Sequence, residues 1–244
     1  SQFRPYKPNY DLKSKKKSID EGRIMLQDFI RFVQTNPSAS ILAEQFDVSG
    51  FIKAQAAEIV IGAVDHYVRV ANNYYLYFNP LTEKWVYMPN DFDFTFRDHH
   101  PLVWGTPDWA AAFRDITGTY AFPESNKVHW AGRELGNVNP ILWDIVFSEQ
   151  TNKDLLYENI RFIIDNFMQW NDVSEKLYSR NNLVRDAIIN TDAAPPGGCE
   201  VTYNPQAIDA ADTSQMCDSK DISISKFIEL RINALEEELL NSGF

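Results

Sequence analysis

The sequence has little glycine and proline and no long apolar run. Its 10 glycines and 12 prolines among 244 residues are too few for a collagen-like or linker-like chain. No stretch reaches the roughly 18 unbroken apolar residues of a membrane-spanning helix, and a hydrophobic content of 44% is too high for a disordered chain. Phosphate-binding loops, dinucleotide fingerprints, serine-nucleophile elbows and zinc-protease motifs are also missing. We therefore expect a folded body and interpret residues 1–244 as one domain.

Positive charge is in short supply as well, with 23 Lys and Arg against 34 Asp and Glu and a net charge of −11. Binding to nucleic-acid phosphates needs a net positive face, so the composition argues against a nucleic-acid partner. The first 23 residues are an exception, because they hold seven basic residues against three acids. We interpret residues 1–18 as a basic connecting segment. The lysines at positions 15–17 fit a solvated loop or, alternatively, a contact with a phosphate or a partner.

Only two cysteines occur, Cys199 and Cys217, and both lie in a loop-like stretch at residues 193–220. They are too few for a zinc site unless histidines join them. A disulfide that closes this loop would contribute about 3 kcal/mol by chain entropy, and two free thiols are the alternative. A disulfide implies an oxidising compartment, so we expect a secreted or cell-surface location. The start lacks Met and an apolar leader, so we also expect the sequence to be a portion of a longer chain.

Hydrophobic spacing predicts two helices in the first quarter of the chain. Ser18 and Glu21 have the spacing of a capping box at the start of a helix over residues 19–35. The run DVSG at residues 47–50 offers caps for a second helix over residues 51–64. The near absence of charge on every face of this second helix predicts that it is buried on most sides.

The rest of the chain predicts one β-hairpin and further helices. Aromatic and branched residues at 74–78 and 85–88 flank a turn that Asn79 and Pro80 initiate. Residues 97–139 show no sustained period, and we interpret them as irregular with short helices. Apolar stripes predict three later helices, at residues 154–168, 173–189 and 221–241. The stripe of the first helix consists of Leu156, Ile160, Ile163, Ile164 and Phe167. The predicted class is α+β, mostly helical, with one small sheet.

The residues that suggest chemistry surround the predicted hairpin. Asp65, Asn72 and Asn73 precede it, and Asp91 and Asp93 follow it. In phosphoryl transfer, one aspartate orients or deprotonates the acceptor hydroxyl, an asparagine supplies an amide oxygen to Mg²⁺, and a later aspartate chelates the metal that bridges the phosphates. Two loops beside one hairpin can hold such hard oxygen ligands. In the alternative interpretation, the Asp-x-Asp pair caps a helix or accepts hydrogen bonds from buried backbone amides.

The order of residues in this segment resembles the CotH (spore coat protein H) family. The resemblance rests on the aspartate at position 65, the run NNYYLY at residues 72–77 and the run KWVYMPNDFDFTF at residues 84–96. It is firmest over residues 46–96 and diffuse over residues 6–45. It implies a secreted or spore-surface protein with an atypical protein-kinase-like fold.

The resemblance also implies roles for individual residues. Asp65 corresponds to the catalytic-loop aspartate, and Asn73 or its neighbour Asn72 corresponds to the asparagine on the metal side. Asp91 corresponds to the metal-chelating aspartate, with Asp93 as a second acidic ligand or a support for the first. The implied cofactors are ATP and either Mg²⁺ or Mn²⁺.

Two features of the chain depart from the family pattern. Asn90 stands where the family usually has Trp, which removes no ligand. No strand-rich, glycine-containing segment with a phosphate-gripping lysine precedes Asp65. We therefore expect the C-terminal lobe of a kinase-like fold without its N-terminal lobe, with the hairpin beside the catalytic and metal loops.

Two functions from different classes are consistent with the resemblance. The first is a kinase-like phosphotransferase that uses metal-ATP to phosphorylate Ser or Thr hydroxyls of secreted or surface proteins. The second is a cell-surface adhesion protein that binds a host or surface receptor, since fungal members of the family resemble this chain in their Cys-containing C-terminal region. The aromatic content alone suggests a third function, carbohydrate binding.

Histidines supply the remaining candidate site residues. His66 directly follows Asp65, and it either orients the catalytic loop or is simply packed or solvated. His99 and His100, together with Asp98, form a candidate transition-metal site, although adjacent histidines rarely chelate one ion without further spaced ligands.

Overall fold

The computed structural model describes residues 13, 18–63, 66–70, 72–92, 95–96, 128–130, 133–135, 140–189 and 224–244. This part of the chain is mostly helical and contains two small antiparallel sheets. None of its helices combines the length and apolar character that a membrane crossing requires. The elements in chain order are α1 Ile19–Gln34, α2 Ala39–Leu42, α3 Val48–Ile61, α4 Tyr67–Val70, β1 Tyr74–Asn79, β2 Lys84–Pro89, β3 Val128–Trp130, β4 Arg133–Leu135, α5 Ile141–Val146, α6 Gln150–Phe167, α7 Trp170–Ile189 and α8 Ile224–Asn241.

Helix α3 is the element against which the others pack. It begins where the Asp47 side chain accepts a hydrogen bond from the Gly50 N–H at 3.0 Å, as expected for an N-cap. It ends at Gly62, whose φ of +66° lies in the left-handed region that favours glycine. The helix contacts α6, α8 and β2. Its predicted burial on most sides is confirmed, with bounds three residues earlier than expected; the buried side chains include Phe51, Ile52, Gln55, Ala56, Glu58 and Val60.

Strands β1 and β2 form the predicted hairpin. Tyr74 lies opposite Pro89 at its open end, and five further residue pairs follow in register to the turn. In that turn the Asn79 side chain accepts a hydrogen bond from the Leu81 N–H at 3.0 Å, the local bond that makes asparagine a frequent turn residue.

Main-chain bonds fasten the hairpin to the start of α3 through Trp85. The Trp85 N–H donates to the Gln45 carbonyl and the Trp85 carbonyl accepts from the Asp47 N–H, both at 2.8 Å. The Trp85 ring also lies 5.3 Å from the ring of Phe29 in α1. The hairpin is therefore fixed relative to the two longest helices that precede it.

Helices α6 and α8 complete the apolar core. Leu156, Ile160 and Ile164 of α6 are buried on the predicted stripe. Phe167, predicted on the same stripe, is 53% exposed, because it ends the helix and packs edge-on against Phe162 on the outer face. The buried residues of α8 are Phe227, Ile228, Arg231, Leu235 and Leu239.

Two predictions of secondary structure were wrong in detail. Ser18 precedes α1 but its side chain makes no capping bond, since its φ of −106° and ψ of 35° depart from the extended geometry of a cap. Part of the region predicted to be irregular with short helices forms a second sheet, β3 and β4, whose three-residue strands are too short to show a period. The described part of helix α8 runs from Ile224 to Asn241, and its predicted start at residue 221 lies outside the described residues.

Several predictions fall on residues outside the described part of the chain. They concern most of the basic connecting segment at residues 1–18 and the whole loop at residues 193–220. The proposed bond between Cys199 and Cys217 therefore stays a prediction.

Candidate functional site

The open end of the hairpin brings two of the predicted site residues together. The Asn90 N–H donates to the Asn73 carbonyl at 2.8 Å, so the residues that precede β1 and follow β2 are neighbours. Asn73 and Asp91 both have left-handed backbone geometry, with φ of +52° and +61°. Asn and Asp tolerate this conformation better than other residues with a Cβ. Asn72, Asn73 and Asp91 thus share one end of the sheet.

The Asp91 side chain is available for a ligand. The residue is exposed, as is Asn72, whereas Asn73 is half-buried. No described residue forms an ion pair with the Asp91 carboxylate, and the contact with His66 is made by the main-chain carbonyl of Asp91. Carboxylate and amide oxygens, which these three residue types carry, are ligands that Mg²⁺ and Mn²⁺ prefer.

His66 connects the segment that follows Asp65 to the turn that carries Asp91. It is 2% exposed, and its Nε2 lies 3.0 Å from the Asp91 carbonyl oxygen. Because a carbonyl oxygen only accepts, Nε2 carries the hydrogen of this bond. The imidazole ring also lies 4.7 Å from the ring of Phe92. Of the two interpretations of His66, the structure shows a buried residue that is bonded to the Asp91 turn.

Glu58 of α3 is a buried acid beneath the same turn. Its carboxylate accepts hydrogen bonds from the Tyr87 hydroxyl at 2.8 Å and from the Gln55 amide at 3.0 Å. Glu58 Oε1 also lies 3.3 Å from His66 Nδ1, an electrostatic contact that is not aligned as a hydrogen bond. Burial, reinforced by the Glu58 carboxylate, raises the pKa of Tyr87 well above its usual value of 10.0. The phenol therefore stays a donor to Glu58 throughout the physiological pH range.

The C-terminal end of α3 is held by two later segments. Arg231 of α8 donates to the Ile59 carbonyl through Nε at 2.9 Å and also through Nη2. The Phe96 N–H donates to the Ile61 carbonyl at 3.0 Å. These bonds satisfy carbonyls that a helix leaves open in its last turn. They also tie the chain that follows Asp91 back to the helix that precedes Asp65.

The described residues include some of the predicted site residues and not others. The described residues bring Asn72, Asn73 and Asp91 together, and they add His66 to the turn. Asp65 and Asp93 lie outside the described residues, as do the candidate metal residues His99 and His100. Among the residues that the structure does describe, no three His, Cys, Asp or Glu side chains cluster as a metal site would require.

Sequence reasoning missed the buried polar residues that surround the site. Glu58, Gln55, Tyr87 and Arg231 are at most 5% exposed. The available signal was an acid and an amide within the otherwise apolar α3, since buried polar groups need partners. Their partners lie as far as 172 residues away in sequence, which no local pattern indicates.

Comparison with known proteins gives one match. A family model described as CotH kinase protein matches residues 1–215 of the chain. No curated protein and no solved structure matches. The matched range includes every residue of the candidate site and confirms the family resemblance, whereas helix α8 lies beyond it.

Proposed function

The chain belongs to the CotH kinase protein family, and we propose that it is an atypical kinase-like phosphotransferase. In this proposal it adopts the C-terminal lobe of a protein-kinase-like fold and transfers the γ-phosphoryl group of ATP, bound with Mg²⁺ or Mn²⁺, to Ser or Thr hydroxyls. Its acceptors are secreted or surface proteins, and the enzyme itself is secreted or lies at the cell surface.

The observation that carries the proposal is the meeting of three chain segments at the open end of the hairpin. Asn73 lies beside the strand that leads into Asp91, through the main-chain bond to Asn90. His66 bonds to the Asp91 carbonyl and directly follows Asp65 in the sequence. Phosphoryl transfer needs the base, the amide ligand and the chelating carboxylate near one another. This arrangement supplies the framework for them.

The metal ligands in this proposal are Asp91 and Asn73, with Asp93 as a second acidic ligand. The exposed Asp91 carboxylate and the neighbouring amide are hard oxygen donors, which fit Mg²⁺ or Mn²⁺ and do not favour softer metals. When bound, the metal would neutralise charge on the phosphates.

Asp65 serves as the base in the proposed reaction. It orients the acceptor hydroxyl and takes its proton as the hydroxyl oxygen bonds to the γ-phosphorus. The bond from that phosphorus to the bridging oxygen breaks, and ADP leaves with the electron pair. Little covalent chemistry falls to the protein, so positioning of Asp65 relative to Asp91 is its main contribution.

Calorimetric titration of ATP with Mn²⁺ tests the proposal. Asp91→Asn should weaken binding by at least about tenfold, which corresponds to about 1.4 kcal/mol. Asp65→Asn should leave binding intact but abolish transfer to a protein acceptor. The control is Asp165→Asn, which neutralises an exposed carboxylate on α6. Equal affinities for the Asp91 and Asp165 variants would contradict the assignment, as would a failure of both this chain and an upstream-extended chain to bind ATP.

A second function, adhesion to a surface receptor on a kinase-like scaffold, is favoured by the outer face of the hairpin. Tyr75, Tyr77 and Met88 are all exposed there, and Tyr75 lies opposite Met88. Exposed aromatic side chains and Met are enriched at protein interfaces. Under this hypothesis, a Tyr75→Ser, Tyr77→Ser variant loses attachment to the partner surface, whereas Asp91→Asn attaches normally. The reverse pattern would favour catalysis.

A further inference from the structure

Four polar side chains are buried directly beneath the turn that carries Asp91. Gln55, Glu58, His66 and Tyr87 are 1%, 5%, 2% and 4% exposed. Burying such groups is unfavourable unless they bond to one another. Apolar residues of similar size would fill the same space without the free-energy cost of burying polar groups. The network therefore needs an explanation beyond packing.

We propose that Glu58 is a positioning residue that holds the Asp91 turn in place through His66. The part of this inference that concerns nucleotide affinity rests on the proposed function; the part that concerns the geometry of the turn does not. Glu58 itself lies within α3 and is buried, so it contacts neither the metal nor the substrate.

The contacts run in one line from α3 to the turn. Glu58 Oε1 lies 3.3 Å from His66 Nδ1, and His66 Nε2 lies 3.0 Å from the Asp91 carbonyl oxygen. A ring that is bonded at Nε2, lies beside the Glu58 carboxylate at Nδ1 and packs at a tilt against Phe92 has little freedom to rotate. The position of the imidazole therefore sets the position of the Asp91 carbonyl.

The Asp91 backbone needs such support. Its φ of +61° costs free energy for a residue with a Cβ, although Asp tolerates it better than most, and contacts from the surroundings help to hold it. The bond from His66 acts on the peptide unit immediately after this Cα. A change in that bond would alter the direction in which the Asp91 carboxylate points.

Glu58 is itself held from two sides. The Tyr87 hydroxyl fixes Oε1 from the hairpin, and the Gln55 amide fixes Oε2 from the same helix. A carboxylate with both oxygens bonded has one orientation and transmits it to its neighbours. The network therefore links α3, β2 and the chain after Asp65 into one unit beneath the site.

The test compares Glu58→Gln with a control that only weakens the core. Glu58→Gln keeps the size of the side chain but removes its charge and one of its acceptor oxygens. The control is Val60→Ala, since Val60 is fully buried on the same helix and makes no polar contact through its side chain. A second test variant, His66→Phe, keeps a ring beside Phe92 but removes the donor to Asp91. This variant tests the same inference if Glu58→Gln does not fold.

Two readouts are measured on each variant. Amide hydrogen exchange at Asn90 and Phe96 reports the turn, because these N–H groups lie on either side of Asp91 in sequence and bond to the carbonyls of Asn73 and Ile61. The amide of Trp85, at the other end of the hairpin, is the internal reference. Calorimetry gives the dissociation constant of Mn²⁺-ATP.

Glu58→Gln and His66→Phe should each speed exchange at Asn90 and Phe96 by about tenfold relative to Trp85. Each should also weaken Mn²⁺-ATP binding by about tenfold, the usual effect of losing a group that orients a ligand. Val60→Ala should lower the melting temperature without either change. Unchanged exchange at Asn90 and Phe96 in both test variants, or an equal change in the control, would overturn the inference.

The exchange readout also separates this inference from the proposed function. If the native chain binds no Mn²⁺-ATP, the proposed function fails. Selective exchange in the Glu58 and His66 variants would then still establish that Glu58 positions the turn. If the native chain binds nucleotide and exchange at the turn is unchanged, the positioning role fails and the proposed function stands.

Discussion

Replacement of Arg231 by Met tests whether helix α8 secures the end of α3. Arg231 is 4% exposed, and its guanidinium donates to the Ile59 carbonyl through Nε at 2.9 Å and through Nη2. Methionine keeps much of the length and apolar character of the arginine stem. The substitution therefore removes the charge and these donors while leaving most of the packing in place.

The expected loss follows from two contributions. A hydrogen bond from a charged donor contributes about 1.5–3 kcal/mol, and we count the forked pair once because both groups share one acceptor. A cation at the C-terminal turn of a helix adds about 0.3–1 kcal/mol. Relief from burying the charge offsets part of this sum, so we expect a net loss of about 1–3 kcal/mol. At about 2–4 °C per kcal/mol for a chain of this size, the melting temperature should fall by roughly 2–12 °C.

Urea unfolding at 25 °C, followed by circular dichroism, measures this loss, and calorimetry gives the melting temperature. The control is Arg161→Met, because Arg161 is 33% exposed and lies 3.5 Å from Glu236 of the same helix α8. A partly exposed pair of this kind contributes at most about 1 kcal/mol. If the two variants differ by less than about 0.5 kcal/mol, Arg231 does not secure α3.

Three further predictions concern stability and oxidation state. The raised pKa of Tyr87 means that the unfolded chain loses this proton at lower pH than the folded chain. The contribution of Tyr87 to stability is therefore complete below about pH 10 and falls as pH rises further, so Tyr87→Phe should show a shallower loss of stability in alkaline urea titrations. Asp47→Ala should destabilise the chain by about 1 kcal/mol by removing the cap on α3, whereas Asp47→Asn should lose much less in the same assay. Thiol titration of the unfolded, unreduced protein should find no free thiol at Cys199 or Cys217, and two free thiols would refute the disulfide.

Elements with a strong local pattern were predictable from the sequence. Helix α1 and the hairpin have nearly the predicted bounds. Their residue patterns are each typical of only one type of secondary structure and extend over several residues, so the type could be recognised. The sheet of β3 and β4 was missed because each strand has only three residues. Ser18 failed as a cap because its backbone angles, which no spacing rule gives, decide whether the side chain reaches the helix.

The candidate site was predictable in its exposed residues and not in its support. Asn73 and Asp91 could be placed together because they flank a hairpin, and a hairpin joins its own ends. The bond of Tyr87 to Glu58 crosses 29 residues and depends on how a strand packs on a helix. Such a pairing depends on tertiary packing. Its only sign in the sequence is an acidic residue within a mostly apolar helix.

At Asn73 and Asp91, the residue type that would best stabilise the left-handed backbone is not the residue type that could bind a metal. Glycine is the residue that this geometry favours, and an aspartate there carries conformational strain of about 1–2 kcal/mol. Asp91→Gly would relieve that strain while removing the carboxylate, although the added freedom of the unfolded chain would offset part of the gain. Screening variants of this chain for thermal stability alone would therefore tend to accept glycine at the positions where the side chains matter most for ligand binding.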